Sequence, residues 1–98
     1  MRIFEHGITI KVQFSHNLTE KEQNTFWEKF ITLIERFGFS FGGGHNEGSL
    51  EGYIDLSKAS KTERINFLRN IDDFVLSKTD VVCDYKIKKK IYLKRIIN

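Results

Sequence analysis

Ile8-Thr9-Ile10-Lys11-Val12-Gln13-Phe14, then Ser15-His16-Asn17-Leu18, then Thr19-Glu20-Lys21-Glu22 is the stretch that decides the fold. Up to Phe14 the apolar residues fall at every second position, the signature of a strand with one buried face. Ser15 to Leu18 break that rhythm. Thr19 is a helix N-cap, and Glu22, three residues on, completes a capping box by reaching back to the first backbone N–H. From there the period changes: Phe26, Phe30, Leu33, Ile34 and Phe37 recur at three- and four-residue spacing, and Trp27 and Ile31 widen the stripe. Gly38 stands where a left-handed helix cap is wanted. The pattern predicts a helix from Thr19 to Phe37.

Working outward, Phe39-Ser40-Phe41 reads as a short second strand and Gly42-Gly43-Gly44-His45-Asn46-Glu47-Gly48 as a glycine-rich loop. Leu50, Gly52, Ile54 and Leu56 alternate with Glu51, Tyr53 and Asp55 in a third strand, closing a hairpin. Ser60 and Glu63 repeat the capping box. Ile65, Leu68, Ile71, Phe74 and Val75 are expected to form the inner face of a second helix ending near Lys78. Val81, Cys83, Tyr85 and Ile87 then alternate with Val82, Asp84 and Lys86 in a fourth strand. The order β-α-β-β-α-β predicts an α+β, ferredoxin-like domain, a four-stranded antiparallel sheet with two helices on one face. Residues 1–87 are read as this single domain. Residues 88–98 form a basic C-terminal tail, either part of the same domain or flexible, whose Ile91, Leu93, Ile96 and Ile97 fit a prolonged strand or a docked helix.

A chain of 98 residues with nine Phe holds one modest core. Its single cysteine cannot form an internal disulfide, which favours a reducing compartment. With neither a signal-peptide pattern at the start nor about 20 consecutive apolar residues anywhere, a cytoplasmic location is expected and a membrane is not. The net charge of +3 is unevenly spread. Residues 86–98 carry Lys86, Lys88, Lys89, Lys90, Lys94 and Arg95 and no acid, which leaves ten cations against all thirteen acids over residues 1–85. Such a tail either holds an anionic partner, nucleic acid foremost, or serves as a solvated end that aids solubility.

The chemistries of an enzyme find little support. The triple glycine precedes a strand and lacks the Lys-Ser/Thr pair of a phosphate loop, so it is expected to serve as a hairpin connection. His6, His16 and His45 are scattered, and His45 with Glu47 makes only two candidate ligands, so no metal is expected. The alternation turns Cys83 toward the helices as a core thiol. Acylphosphatases of similar architecture need an Arg and glycines after the first strand. Phe14-Ser15-His16-Asn17-Leu18-Thr19 has neither. RNA-recognition folds of this topology stack bases on sheet aromatics. Here that face offers Tyr53, with Lys11 and Lys86 as phosphate partners and Glu51, Asp55 and Asp84 opposing them. Neither catalytic residues nor a cofactor is therefore expected.

Several motifs nevertheless belong together: the strand opening Gly7-Ile8, the capped helix with Glu20, Glu22, Phe26 and Phe30, then Phe39-Ser40-Phe41-Gly42-Gly43-Gly44, Leu50-Glu51-Gly52-Tyr53-Ile54 and Lys61-Thr62-Glu63. Between Gly7 and about Ile87 the chain thereby resembles the YggL-like family of small bacterial proteins associated with the large ribosomal subunit. It departs from that pattern at both ends. Only Arg2 stands where members often carry a basic arm, and Lys88-Lys89-Lys90 opens a basic tail in place of an acidic, aromatic segment. The resemblance implies a non-enzymatic accessory protein bound to the large ribosomal subunit through its RNA or protein. Candidate binding residues are Lys88, Lys89, Lys90, Lys94 and Arg95 in the tail. Lys11, Tyr53 and Lys86 on the sheet, with Gly43, Gly44 and His45 in the glycine segment, form a second contact. Two alternatives are a protein-interaction or self-associating module, including a homodimer, and a small hydrolase or ligand-binding regulator.

Overall fold

The computed structural model describes the backbone of residues 2–95 and the side chains of residues 6–89. Strand β1 (Arg2–Phe14) leads to helix α1 (Glu20–Arg36). A hairpin of β2 (Phe41–His45) and β3 (Ser49–Asp55) follows, then helix α2 (Lys61–Leu76) and strand β4 (Val82–Arg95). The four strands pair antiparallel in the order β2-β3-β1-β4. Neither helix joins neighbouring strands: α1 carries the chain past β3, and α2 carries it past β1.

The helix ends obey their local chemistry. Thr19 Oγ1 accepts from the Glu22 N–H at 3.2 Å while Glu22 Oε1 accepts from the Thr19 N–H at 3.1 Å. Ser60 and Glu63 repeat the exchange. Gly38 adopts φ +80, and the N–H groups of Gly38 and Phe39 return to the carbonyls of Glu35 and Ile34, the two crossed bonds of a Schellman motif.

Ile8, Ile10, Val12 and Phe14 are buried from β1, Leu50, Ile54 and Leu56 from β3 and its exit, and both helices add to the same cluster. Edge-on aromatic pairs bind the layers, among them Phe14–Phe26 at 5.4 Å, Phe30–Phe41 at 5.2 Å and Phe39–Phe67 at 4.9 Å between ring centres. Phe30 and Phe67 are both at 0 % exposure, each contributing roughly 1.5–3 kcal/mol of burial.

Three expectations need correction. First, the glycines are not the loop. They are strand β2 itself, with Phe39 and Ser40 lying before it, and the connection shrinks to Asn46–Gly48, where Asn46 Oδ1 accepts from the N–H groups of Gly48 and Ser49. Gly43 pairs with Gly52 in register. A Cβ on Gly43 would overlap the Glu51 carbonyl, and one on Gly52 would enter the Phe41 ring. Glycine is thus required by a close approach of backbones and a seated aromatic ring, not by a turn. Second, Cys83 is exposed. Gln13 pairs with Asp84 but Phe14 with Val82, so Cys83 is the extra residue of a β-bulge. The bulge shifts the alternation, and Val82 rather than Cys83 shares the inner face with Tyr85 and Ile87.

Third, the inner face of α2 is centred one residue away from the expected stripe: Ile71 and Val75 are buried and Leu68 and Phe74 pack against the core as expected, but Phe67 joins them and Ile65, 46 % exposed, does not. In line with the prolonged-strand reading of the tail, β4 continues through Lys88 to Arg95, paired with β1 as far as Arg2. Beyond the pairing of Gly7 with Asp55 these two strands run on without β3. Ile96 and Ile97 lie outside the described residues.

Candidate nucleic-acid interface

The pleat of β1 sends Ile8, Ile10, Val12 and Phe14 into the core and leaves Thr9, Lys11 and Gln13 on the other face. Register carries that face across the sheet. One row runs Gly44, Glu51, Lys11, Lys86, and the next runs Gly42, Tyr53, Thr9, Lys88. Lys11 and Lys86 therefore stand directly opposite each other, both exposed, with Lys88 one row along. Cross-strand neighbours have Cβ atoms about 5 Å apart, and like charges so placed repel. Lys86 Nζ lies 3.9 Å from Asp84 Oδ2, both side chains largely exposed, a pair that does little in water. Among the described residues Lys11 and Lys88 form no ion pair. The β1–β4 half of the face carries Lys11, Lys86 and Lys88 against the single described carboxylate of Asp84, and the carboxylates of Glu51 and Asp55 belong to the β3 side.

Tyr53 is half-buried on this face. A Cβ on Gly7 would overlap its phenol, so the ring lies over the glycine backbone. A bare stretch of the central strand is thereby covered by an aromatic from its neighbour, as at rescued sheet glycines.

The pleat also divides the lysine run. Lys88 shares the outer face with Lys86, whereas Lys89 pairs with Ile8 and turns to the helix side. There it meets Lys61, Arg64 and His6 around a cavity of about 320 Å³ lined also by Ile8, Leu56, Ile65 and Leu68. Lys61, Arg64, Ile65 and Leu68 recur at helical spacing, a signal present in the sequence but overlooked as a cationic site. The side chains of Lys90, Lys94 and Arg95 lie outside the described residues.

Gly43, Gly44 and His45 do not join the lysines. They sit on the β2 edge, three strand spacings or about 14 Å from β4. The His45 ring packs on Trp27 at 4.6 Å, and its Nδ1 lies 3.2 Å from Gln23 Oε1. That histidine fastens the edge strand to α1.

Two shifted acids lie elsewhere. Backbone hydrogen bonding from Thr19, helped by the Thr19 hydroxyl and by His16 at 3.5 Å, holds the Glu22 carboxyl below its usual range. Burial, then the bond to Asp72, pushes the Tyr85 hydroxyl up. Both belong to the scaffold. Among the described residues no cluster of three His, Cys, Asp or Glu is placed to hold a metal ion, and no helix is long and apolar enough to cross a membrane. Among the described residues the face offers three lysines and one aromatic, an arrangement suited to phosphate contacts rather than to base stacking.

Residues 3–91 match the family model described as YggL 50S ribosome-binding protein. No curated protein matches the chain.

Proposed function

Since the chain belongs to the YggL 50S ribosome-binding protein family, we propose that it is a non-enzymatic accessory protein that associates with the large subunit of a bacterial ribosome in the cytoplasm. Its contact is the outer sheet face, where Lys11, Lys86 and Lys88 meet phosphates of ribosomal RNA. The observation that carries this is the Lys11–Lys86 register pair. An exposed sheet gains nothing in stability from opposing two lysines across a ladder, whereas a polyanion neutralises both. Phosphate contacts position a protein without reading bases, consistent with a face on which Tyr53, the one aromatic among the described residues, is laid over Gly7.

The fold is read as ferredoxin-like, supported by the β2-β3-β1-β4 order and by one buried cluster shared between both helices and the sheet. That arrangement leaves the opposite face open. Lys90, Lys94 and Arg95 extend the cationic sequence along β4.

Sedimentation through a sucrose gradient with 50S subunits, at low and at raised salt, tests the proposal. Co-migration at low salt that is lost as salt rises is expected. Absence from the 50S fraction even at low salt, or binding indifferent to salt, would overturn it.

A further inference from the structure

The cavity beside α2 is a second site with its own chemistry. Ile8 and Leu56 supply its floor from the sheet side, and Ile65 and Leu68 its wall from the helix. Three cations, Lys61, Arg64 and Lys89, stand around it together with His6. Arg64 is held in place, its Nη1 donating to the Ala59 carbonyl at 2.9 Å. Among the described residues none of these three cations has a carboxylate within ion-pair distance. A volume of about 320 Å³ lies at the lower end of the range for small-molecule sites, which are likewise apolar hollows with a few convergent polar groups. Ile65, 46 % exposed at the rim, is one of two large apolar side chains the described surface leaves open, and Leu76, in the adjoining groove, is the other.

We infer that this cavity binds a small organic anion, its apolar body seated on Ile8, Leu56, Ile65 and Leu68 and its carboxylate, sulfonate or phosphate held by Lys61, Arg64 and Lys89. Charge complementarity selects the anion. The apolar lining selects against inorganic phosphate or a bare sugar phosphate, which would gain nothing from the floor. The site lies on the helix side of the sheet, facing away from Lys11 and Lys86, so it can be filled whether or not the outer face is engaged.

The probe is 1-anilinonaphthalene-8-sulfonate, an apolar anion, with the uncharged N-phenyl-1-naphthylamine as its partner compound. Titration into the folded protein, followed by amide chemical shifts, is expected to move Leu56, Ile65, Leu68 and Lys89. Lys61→Gln with Lys89→Gln should weaken the sulfonate at least fivefold and leave the neutral compound within twofold. Ile65→Glu, at an exposed position that does not threaten the fold, should weaken both. Lys11→Gln with Lys86→Gln should change neither, which separates this site from the proposed ribosomal face. Shifts confined to other surfaces, or sulfonate affinity indifferent to Lys61 and Lys89, would overturn the inference.

Discussion

The Tyr85 hydroxyl donates to Asp72 Oδ1 at 2.8 Å, joining the inner face of β4 to the C-terminal half of α2. Tyr85 is half-buried, and burial together with the carboxylate pushes its ionisation well above the usual phenol range. Tyr85→Phe removes the bond and leaves Asp72 to water, at a cost of about 1 kcal/mol. The pH dependence has a definite sign. The folded pKa is raised, so Tyr85 stabilises fully below the unfolded value near 10, and its contribution falls as pH climbs above that value, where only the unfolded chain releases the proton. Urea midpoints measured from pH 8 to 11 should decline more steeply for the parent chain than for Tyr85→Phe. Parallel curves would refute the linkage.

The glycines of β2 separate into two kinds. A Cβ on Gly43 meets the backbone of Glu51 and Gly52, which cannot swing aside, whereas a Cβ on Gly44 meets nothing within 4 Å. Gly43→Ala should therefore cost about 2 kcal/mol or more by forcing β2 away from β3. Gly44→Ala should be neutral or stabilising by about 0.5 kcal/mol, since it restricts the unfolded chain at no native cost. Thermal midpoints of the two variants check the contrast. Equal losses would show that propensity, not close approach, governs the strand.

These residues also show where reading the sequence fails. The capping boxes at Thr19 and Ser60, the Phe26–Phe30–Ile34 stripe and the period-two run of Ile8 to Phe14 were legible because each is local and rests on a spacing. The β2 strand was not, because glycine disfavours strands on its own account. The reason for it here is Phe41 lying over Gly52, a contact between chain segments that spacing does not encode. Cys83 was misplaced by one bulge, which shifts an alternation without any sequence mark. The outer-face lysines Lys11 and Lys86 were legible as a pair of candidates, but their opposition needed the register. Lys88 and Lys89 are adjacent in sequence and read as one patch there, although period-two geometry alone divides them.

The first turn of α1 supplies an acid-side prediction. Glu22 is held below its usual ionisation range chiefly by the Thr19 N–H, then by the Thr19 hydroxyl and His16. A depressed carboxylate stabilises above its unfolded pKa, near 4.3, and loses that contribution as pH falls through the folded value. The stability difference between the parent chain and Glu22→Gln should be present at pH 7 and shrink as pH falls from 5 to 3. Thr19→Ala, which removes the N-cap itself, should cost about 1 kcal/mol at pH 7. A Glu22→Gln difference that grows on acidification would contradict the assignment.

Lys11 and Lys86 set stability against binding. Opposed across the ladder and exposed, they repel by a few tenths of a kcal/mol, while Glu51, the partner of Lys11 on β3, attracts it by a similar amount, so Lys11→Gln should leave the thermal midpoint nearly unchanged. The same change deletes one phosphate contact from the proposed ribosomal face. Contacts to structured RNA release counterions as those to DNA do, so the slope of log affinity against log salt should fall by about 0.9 for each lysine lost. Lys86→Gln should behave alike, and the double variant should lose both increments with its fold intact. Lys78→Gln provides the control: Lys78 lies over the Phe74 ring at 5.5 Å on the helix side, and its loss should leave the slope nearly unchanged. Affinities from filter binding to 50S subunits across a salt series distinguish these outcomes. If Lys78→Gln flattens the slope as much as Lys11→Gln does, the attraction belongs to net charge, and the outer face has no special part in it.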